Sequence, residues 1–356
     1  MLELFKGGVI ALCGCLFCIW LLTPVANKIG LVDMPGGRKQ HESNTPLIGG
    51  IAMFFGFCLA LLSLHIQMVA YRGLFAGSAL IVLMGVVDDF KELGSRLRLI
   101  GQFFAAAILI SWGHHIVNHM GNLFFTGNIE LGMWAYPITL VSVVGFINAM
   151  NMIDGQDGLA GSVAFGQVIL LMFCSYELMN ASQFNLMMML AIVLLVFLFF
   201  NLHVPWRQRA LIFMGDSGST FLAFVIAWFA TSISQANIQF LKPITVMWIL
   251  AFPLFDLISV MIHRIRKGRS PLSASRDHFH HVLNMRGFSV NLSSLVLFTL
   301  SFGMGAIGVA MNTLQVDEGY QTIMFVLALS FYLILVHFVR KPIRSSFLEK
   351  TSEHYG

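Results

Sequence analysis

Residues 184–201 read FNLMMMLAIVLLVFLFFN, a run with no charged side chain. A helix needs about 20 such residues to cross a hydrocarbon core, so this stretch is read as a membrane span. Working outward from it, similar apolar runs fall at about 7–23, 47–70, 71–87, 99–117, 134–150, 158–178, 217–234, 244–263, 291–311 and 320–339, eleven in all. The 356 residues are 57% hydrophobic and only 11% charged, with a mean hydropathy of +0.81. Soluble domains carry about 25% charged residues, so this chain lacks the charge to keep a large surface wet. A soluble globule, a disordered chain and a free-standing nucleic-acid binder are excluded. Because hydrocarbon leaves no water to satisfy the backbone, the expected fold is all-α. It is a polytopic membrane protein of about 11 transmembrane helices, one integral domain over 1–356, with a polar cytoplasmic recognition loop at 264–290.

The five cysteines (Cys13, Cys15, Cys18, Cys58, Cys174) all lie inside apolar runs and read as packing residues rather than a disulfide framework. The first run has one basic residue ahead of it, Lys6, and no clear small-residue cleavage site, so it is read as a retained helix. Basic residues concentrate on the cytoplasmic side of membrane proteins. With the N-terminus outside and the C-terminus cytoplasmic, 18 of the 21 Lys and Arg residues fall in inner segments, leaving only Lys6, Arg72 and Lys242 outside. The same map puts Asp33, Asp88, Asp89, Asp154, Asp157, Asp216 and Asp277 at the inner face, and Asp256 inside the ninth span. Solvation alone would scatter aspartates over both sides. Their collection at one face points to a site that manages cations or phosphates.

Four constellations carry that chemistry. Asp88-Asp89 closes the third span; neighbouring carboxylates near lipid stay ionised only with a cation, a basic partner or water. Lys91, Arg96 and Arg98 supply the ordinary explanation, a neutralised helix end. In N-A-M-N-M-I-D-G-Q-D-G-L (148–159), Asn148 and Asn151 are three apart, as are Asp154 and Asp157, so each pair shares a face wherever its segment is helical. F-M-G-D-S-G-S (213–219) opens the eighth span; Asp216 there reads either as a helix cap or as a magnesium ligand, since Mg2+ takes one or two carboxylates plus substrate phosphates. R-D-H-F-H-H (276–281) follows a basic run from Arg264 to Arg269. No cysteine accompanies its histidines, so donation to anionic oxygens suits them better than zinc. His114, His115 and His119 near the outer end of the fourth span read as interfacial residues.

Taken in order, P-L-I-G-G (46–50), Asp88-Asp89 and these three later blocks resemble the polyprenyl-phosphate N-acetylhexosamine-1-phosphate transferases over nearly the whole chain. The histidine block looks like the branch using UDP-N-acetylglucosamine (UDP-GlcNAc) and undecaprenyl phosphate. The H-H-H-[FY]-E run and upstream lysine of the muramyl-pentapeptide branch are missing. The resemblance implies transfer of GlcNAc-1-phosphate between these substrates, with release of UMP, at the cytoplasmic face of a bacterial inner membrane. Mg2+ is the implied cofactor, with Mn2+ as its substitute. Asp216 and Asp88 would be metal ligands, and Asp88 and Asp89 would serve the lipid phosphate. Asp154 and Asp157 would line the site with Asn148 and Asn151 beside them. Phe213 would stack on uracil, and Arg264, His278, His280 and His281 would donate to the nucleotide sugar. The partners are these substrates, the lipid bilayer and, left open, a second copy in a homodimer. The competing class is a cation-coupled transporter, which buried midplane carboxylates and repeated broken helices would favour; a non-catalytic scaffold leaves the aspartates unexplained.

Overall fold

The computed structural model describes residues 2–33, 44–176, 181–236, 241–270 and 277–340. Thirteen α-helices make up about three-quarters of the described chain. The first half holds α1 (Leu2–Ile29), α2 (Gly49–Ser63), α3 (Met68–Lys91), α4 (Ser95–Gly113), α5 (Ala135–Ile153) and α6 (Leu159–Ser175). The second holds α7 (Ala181–Asn201), α8 (Gly215–Ser234), α9 (Pro243–Ile249), α10 (Ala251–Arg266), α11 (Phe279–Met285), α12 (Val290–Thr313) and α13 (Glu318–Arg340). A two-residue antiparallel pair, β1 (Val32–Asp33) with β2 (Thr45–Pro46), is the only sheet among the described residues.

Each apolar run of the sequence falls on a helix or a helix pair. Seven helices are long and apolar enough to cross a membrane, and an eighth crossing is counted if the bent pair α9–α10 is one span. The two members of that pair meet at 72°. Pro253 has no N–H to give to the carbonyl of Ile249, so the ladder breaks where the chain turns. Apolar α2 and α6 are shorter.

Two expectations about boundaries are corrected. The run at 47–70 does not continue as one helix: α2 stops at Ser63, Leu64 is extended, and α3 starts at Met68. Polar Ser63, His65 and Gln67 interrupt the apolar surface there. Because α3 begins early and runs to Lys91, its last turn carries Asp88 and Asp89. The polar stretch 264–290 is not a single loop either. α10 carries its first residues through Arg266, and Phe279–Met285 form α11; Arg276 and the basic tail after 340 lie outside the described residues.

α8 is the axis of the bundle, buried almost throughout and packed on α2, α3, α5 and α6. Small residues let these neighbours close on it, as in membrane helix pairs generally. A methyl group on Gly85 would stand 2.3 Å from Ser217 Cα, and one on Gly50 would stand 2.2 Å from the Gly218 nitrogen. By contrast α13 turns Phe331, Leu327 and Phe338 outward, and α1 turns out Trp20 and Phe17. Such apolar surface suits lipid.

Candidate active site

The N-terminus of α8 organises one half of the site. Its preceding segment is pinned by the glycine block of α2: Phe213 donates its N–H to Pro46 O, while Gly49 and Gly50 donate to the carbonyls of Phe213 and Met214. Gly215 has φ +70°, a left-handed turn suited to glycine, and a side chain there would collide with the Asp89 carboxylate. The turn delivers Asp216 to the first turn of α8. Asp216 does not cap its own helix; Asp89 does so from α3. Asp89 Oδ1 accepts the Asp216 N–H at 2.7 Å and Oδ2 accepts the Ser217 N–H at 3.3 Å. This leaves both Asp216 oxygens for other partners. Asn151 Nδ2 donates to Oδ1 at 2.7 Å and to Ser219 Oγ at 2.9 Å, and Arg98 Nη1 lies 3.3 Å from Oδ2.

Asp88 and Asp89, one residue apart, therefore diverge. Successive helical side chains point about 100° apart, and Asp88 turns to α4. Its Oδ1 accepts the Leu93 N–H at 2.7 Å and its Oδ2 meets Arg98 Nε at 2.6 Å. Arg98 thus bridges Asp88 and Asp216. The two asparagines also separate. Both lie on α5, but Asn148 donates to Gln102 Oε1 at 2.6 Å and to Val144 O, sealing α5 to α4.

Helix α5 ends at Ile153, so Asp154 and Asp157 sit in a turn rather than on a helix face, and Gly158, at φ +76°, starts α6. Desolvation, followed by the charges of Asp216, Asp89 and Asp157, holds the Asp154 carboxyl well above the usual carboxylate range. Asp157 lies 2.7 Å from His203 Nε2, tying the turn to the end of α7. Gln156 braces it from the other side, donating to Val290 O and Ser294 Oγ and accepting from Asn284.

The histidine block closes on the same turn. A methyl group on Gly155 would lie 2.5 Å from His280 Nε2, so the ring packs on the backbone beside Asp154. His280 is 2% exposed, its Nε2 has no hydrogen-bond partner among the described residues, and burial with the neighbouring His281 pushes it down to about 3. The rings of His278 and His281 lie 5.9 and 4.1 Å from it. His278 Nδ1 is 2.7 Å from Asp256 Oδ2, while Asp256 Oδ1 accepts from Phe279 N–H at 3.0 Å and Tyr332 Oη at 3.1 Å. Arg264 is 2% exposed, within electrostatic reach of Asp277 and Asp256, and Phe213 is half-buried ahead of α8.

Stretches far apart in sequence thus meet in one cleft: Asp88 and Asp216 on Arg98, Asp89 and Asn151 on Asp216, then Asp154, then His280 and His278. Sequence reasoning took Arg98 only as a neutralising neighbour, and missed Gln102, Ser219, His203 and Tyr332. Their signal is weak, since a polar residue at the edge of an apolar run is ordinary. Among the described residues no three His, Cys, Asp or Glu side chains form a ready-made metal cage. The donors are nonetheless hard carboxylate oxygens, and after desolvation it is their mutual repulsion that raises Asp154. That set fits Mg2+, which is satisfied by one or two carboxylates completed by substrate phosphates.

Comparison with known proteins bears on the same cleft. The family model for glycosyl transferase family 4 matches residues 71–234, a span that holds Asp88, Asp154 and Asp216. The undecaprenyl-phosphate alpha-N-acetylglucosaminyl 1-phosphate transferase of Yersinia pestis is 35% identical over 319 residues, covering 88% of this chain and 86% of that protein. Proteins of that name from Escherichia coli (strain K12) and Haemophilus influenzae are 32% and 31% identical, covering 86% and 89% of this chain and 84% and 88% of their own. With relatives alike over this much of both sequences, the chain belongs to glycosyl transferase family 4.

Proposed function

We infer that the protein transfers GlcNAc-1-phosphate from UDP-GlcNAc to undecaprenyl phosphate, giving undecaprenyl-diphospho-GlcNAc and UMP. The observation that carries this reading is the convergence of Asp88 and Asp216 on Arg98, with Asp89 on the Asp216 N–H and Asp154 within electrostatic reach of Asp216 and Asp89, beside the histidine block. The relatives' names supply the acceptor, undecaprenyl phosphate, and the transferred group, N-acetylglucosaminyl 1-phosphate; the UDP carrier follows from the family resemblance of the motifs. One substrate is a soluble anion and the other a phosphate on a lipid tail, so they meet only at an interface. The basic-residue count supports the cytoplasmic one, on the reading that α2, α4 and α6 cross beside the seven long helices and the α9–α10 pair, which puts the C-terminus inside. A transporter gains no support from relatives named as transferases.

An oxygen of the lipid phosphate attacks the sugar-bearing phosphorus in line. The bond from that phosphorus to the bridging oxygen breaks, and UMP leaves with the electron pair. A phosphate is already ionised at neutral pH, so no strong base is needed. Mg2+, or Mn2+ in its place, would be held by Asp216 and Asp88 and would neutralise the charge that spreads over the phosphates. Arg98, which bridges that carboxylate pair and keeps 38% of its side chain exposed, would offer its guanidinium to the lipid phosphate. Asp89, accepting the Asp216 and Ser217 N–H groups, keeps the first turn of α8 and the Asp216 side chain it carries in place. Asn151 fixes the Asp216 rotamer, and Asp154, kept protonated more readily than an ordinary acid, limits repulsion of the incoming anions. Asp157 and Asn148 hold the turn and α5, Phe213 stacks on uracil, and Arg264, His278, His280 and His281 receive the nucleotide sugar.

Purified protein given UDP-GlcNAc, undecaprenyl phosphate and Mg2+ is expected to release UMP, and to stop when the ion is chelated. No release, together with solute flux in liposomes, overturns the reading. Single displacement is tested by incubating with labelled UDP-GlcNAc alone: a labelled acyl-phosphate on Asp88 or Asp89 would replace it with a double displacement. Competition among UDP-GlcNAc, UDP-GalNAc and UDP-MurNAc-pentapeptide tests the donor.

A further inference from the structure

Asp256 is the most enclosed carboxylate among the described residues outside the α3–α8 cluster, 1% exposed inside the bent span α9–α10. A carboxylate in such a place is costly unless every oxygen is met. Here each is met: Oδ2 by His278 Nδ1, Oδ1 by the Phe279 N–H and the Tyr332 hydroxyl. Three elements, α10, α11 and α13, are thereby tied at one point. The arrangement has a direction. Since a carboxylate only accepts, the hydrogen on Nδ1 is fixed, and Nε2 is the nitrogen left over, with no hydrogen bond to a described residue. The ring stacks at 15° on His280, which packs on the turn beside Asp154.

We propose that Asp256, steadied by Tyr332, is a positioning residue that locks His278 with Nδ1–H toward itself and offers Nε2 to the diphosphate of the nucleotide sugar. This rests on the reading of His278 as a donor-site residue. A second hydrogen on Nε2 is charge-balanced by Asp256, so Nε2–H can donate to an anionic oxygen. The Asp256→Asn variant inverts the lock. Phe279 N–H and Tyr332 both donate to Oδ1, so the amide must keep its oxygen there and turn its NH2 toward His278, which makes Nδ1 the acceptor.

The test uses the full-length protein in nanodiscs with 15N-labelled histidine, the His278 signal being assigned by its loss in His278→Gln. Wild type is expected to show a hydrogen-bonded Nδ1–H that Asp256→Asn lacks. Loss of one transition-state donor lowers turnover by about 10²–10³-fold. His278→Gln and Asp256→Asn should each lower kcat to that extent with the KM for UDP-GlcNAc little moved, and the double variant should be no slower than His278→Gln alone. Should Asp256→Asn fail to fold, Tyr332→Phe serves instead. Asp256 then becomes a stronger acceptor and the Nδ1–H signal moves downfield; an unmoved signal overturns the proposal. So does an unchanged Nδ1–H in Asp256→Asn, or losses that multiply in the double variant. A His278→Gln enzyme at the wild-type rate instead sinks the donor-site reading and the catalytic purpose with it, leaving the Nδ1–H contrast to report the lock by itself.

Discussion

On the α3–α8 side of the cleft, Asp88 and Asp216 share one guanidinium, Arg98, while two more carboxyl groups, Asp89 and the raised Asp154, crowd in beside them. On the α10–α13 side a single carboxylate, Asp256, is met by three donors. The first arrangement is under-neutralised and open; Arg98 and Asp216 keep 38% and 33% of their side chains exposed. The second is closed and complete. Buried charge with every partner supplied fixes a shape, whereas charge left short of partners waits for a ligand. The cleft needs both, one to gather cation and phosphates and one to hold the receiving groups still.

The sharpest way to break this contrast is Asp216→Asn. Oδ1 still accepts from Asn151 and the Asp89 cap of α8 is untouched, so the protein should fold and insert, while UMP release falls at least ~10³-fold if this carboxylate stabilises transition-state charge. Near-normal turnover would refute the role. Gly50→Ala attacks the frame instead. Its methyl group meets backbone rather than a side chain able to swing away, so α2 must retreat from α8. Thermal unfolding in detergent should report a loss of about 3 kcal/mol, with activity lost because Phe213–Asp216 shift; an unchanged Tm shows that the helices separate without cost.

Arg98→Gln sharpens the comparison from the under-neutralised side. It leaves Asp88, with only 4% of its side chain exposed, facing Asp216 without a cation. Breaking a buried pair costs several kcal/mol, but Arg98 is partly solvated, so about 1–2 kcal/mol is expected. Added Mg2+ should raise the Tm of this variant more than that of the wild type. Equal shifts would mean that the ion binds elsewhere.

Much of this was legible in the sequence because membrane folding leaves few options. An uncharged run such as 184–201 has to be a helix, and it is α7. The aspartates and histidines were readable as a set because solvation gives no reason to place them together. Which partner each one takes was not readable. Asp88 and Asp89 look equivalent as letters, yet one faces Arg98 and the other caps α8, a division set by the helix rotation and by the approach of α8. Tyr332 looks like any aromatic in an apolar run; only the fold of α13 against α10 brings its hydroxyl to Asp256. The early end of α2 was missed because His65 and Gln67 are isolated polar residues in a long apolar stretch.

The smallest effect is also the most discriminating, because the two sides should respond to pH with opposite sign. His280 is held down to about 3 against an ordinary value near 6.5. The unfolded chain therefore takes up a proton between those values that the folded protein refuses. Stability from this group is fully present above about pH 6.5 and is lost as pH falls, by at most ~1.4 kcal/mol per unit. Asp154 is raised, so the folded protein keeps its proton where the unfolded chain gives it up; stability from it is present at low pH and is lost as pH rises from about 4 toward its folded value. In Tm measured from pH 5 to 8 without added Mg2+, His280→Asn should flatten the acid side and Asp154→Asn the alkaline side. If both variants move the same limb, the charge in the cleft is not divided as the distances indicate, and the contrast between its two halves fails.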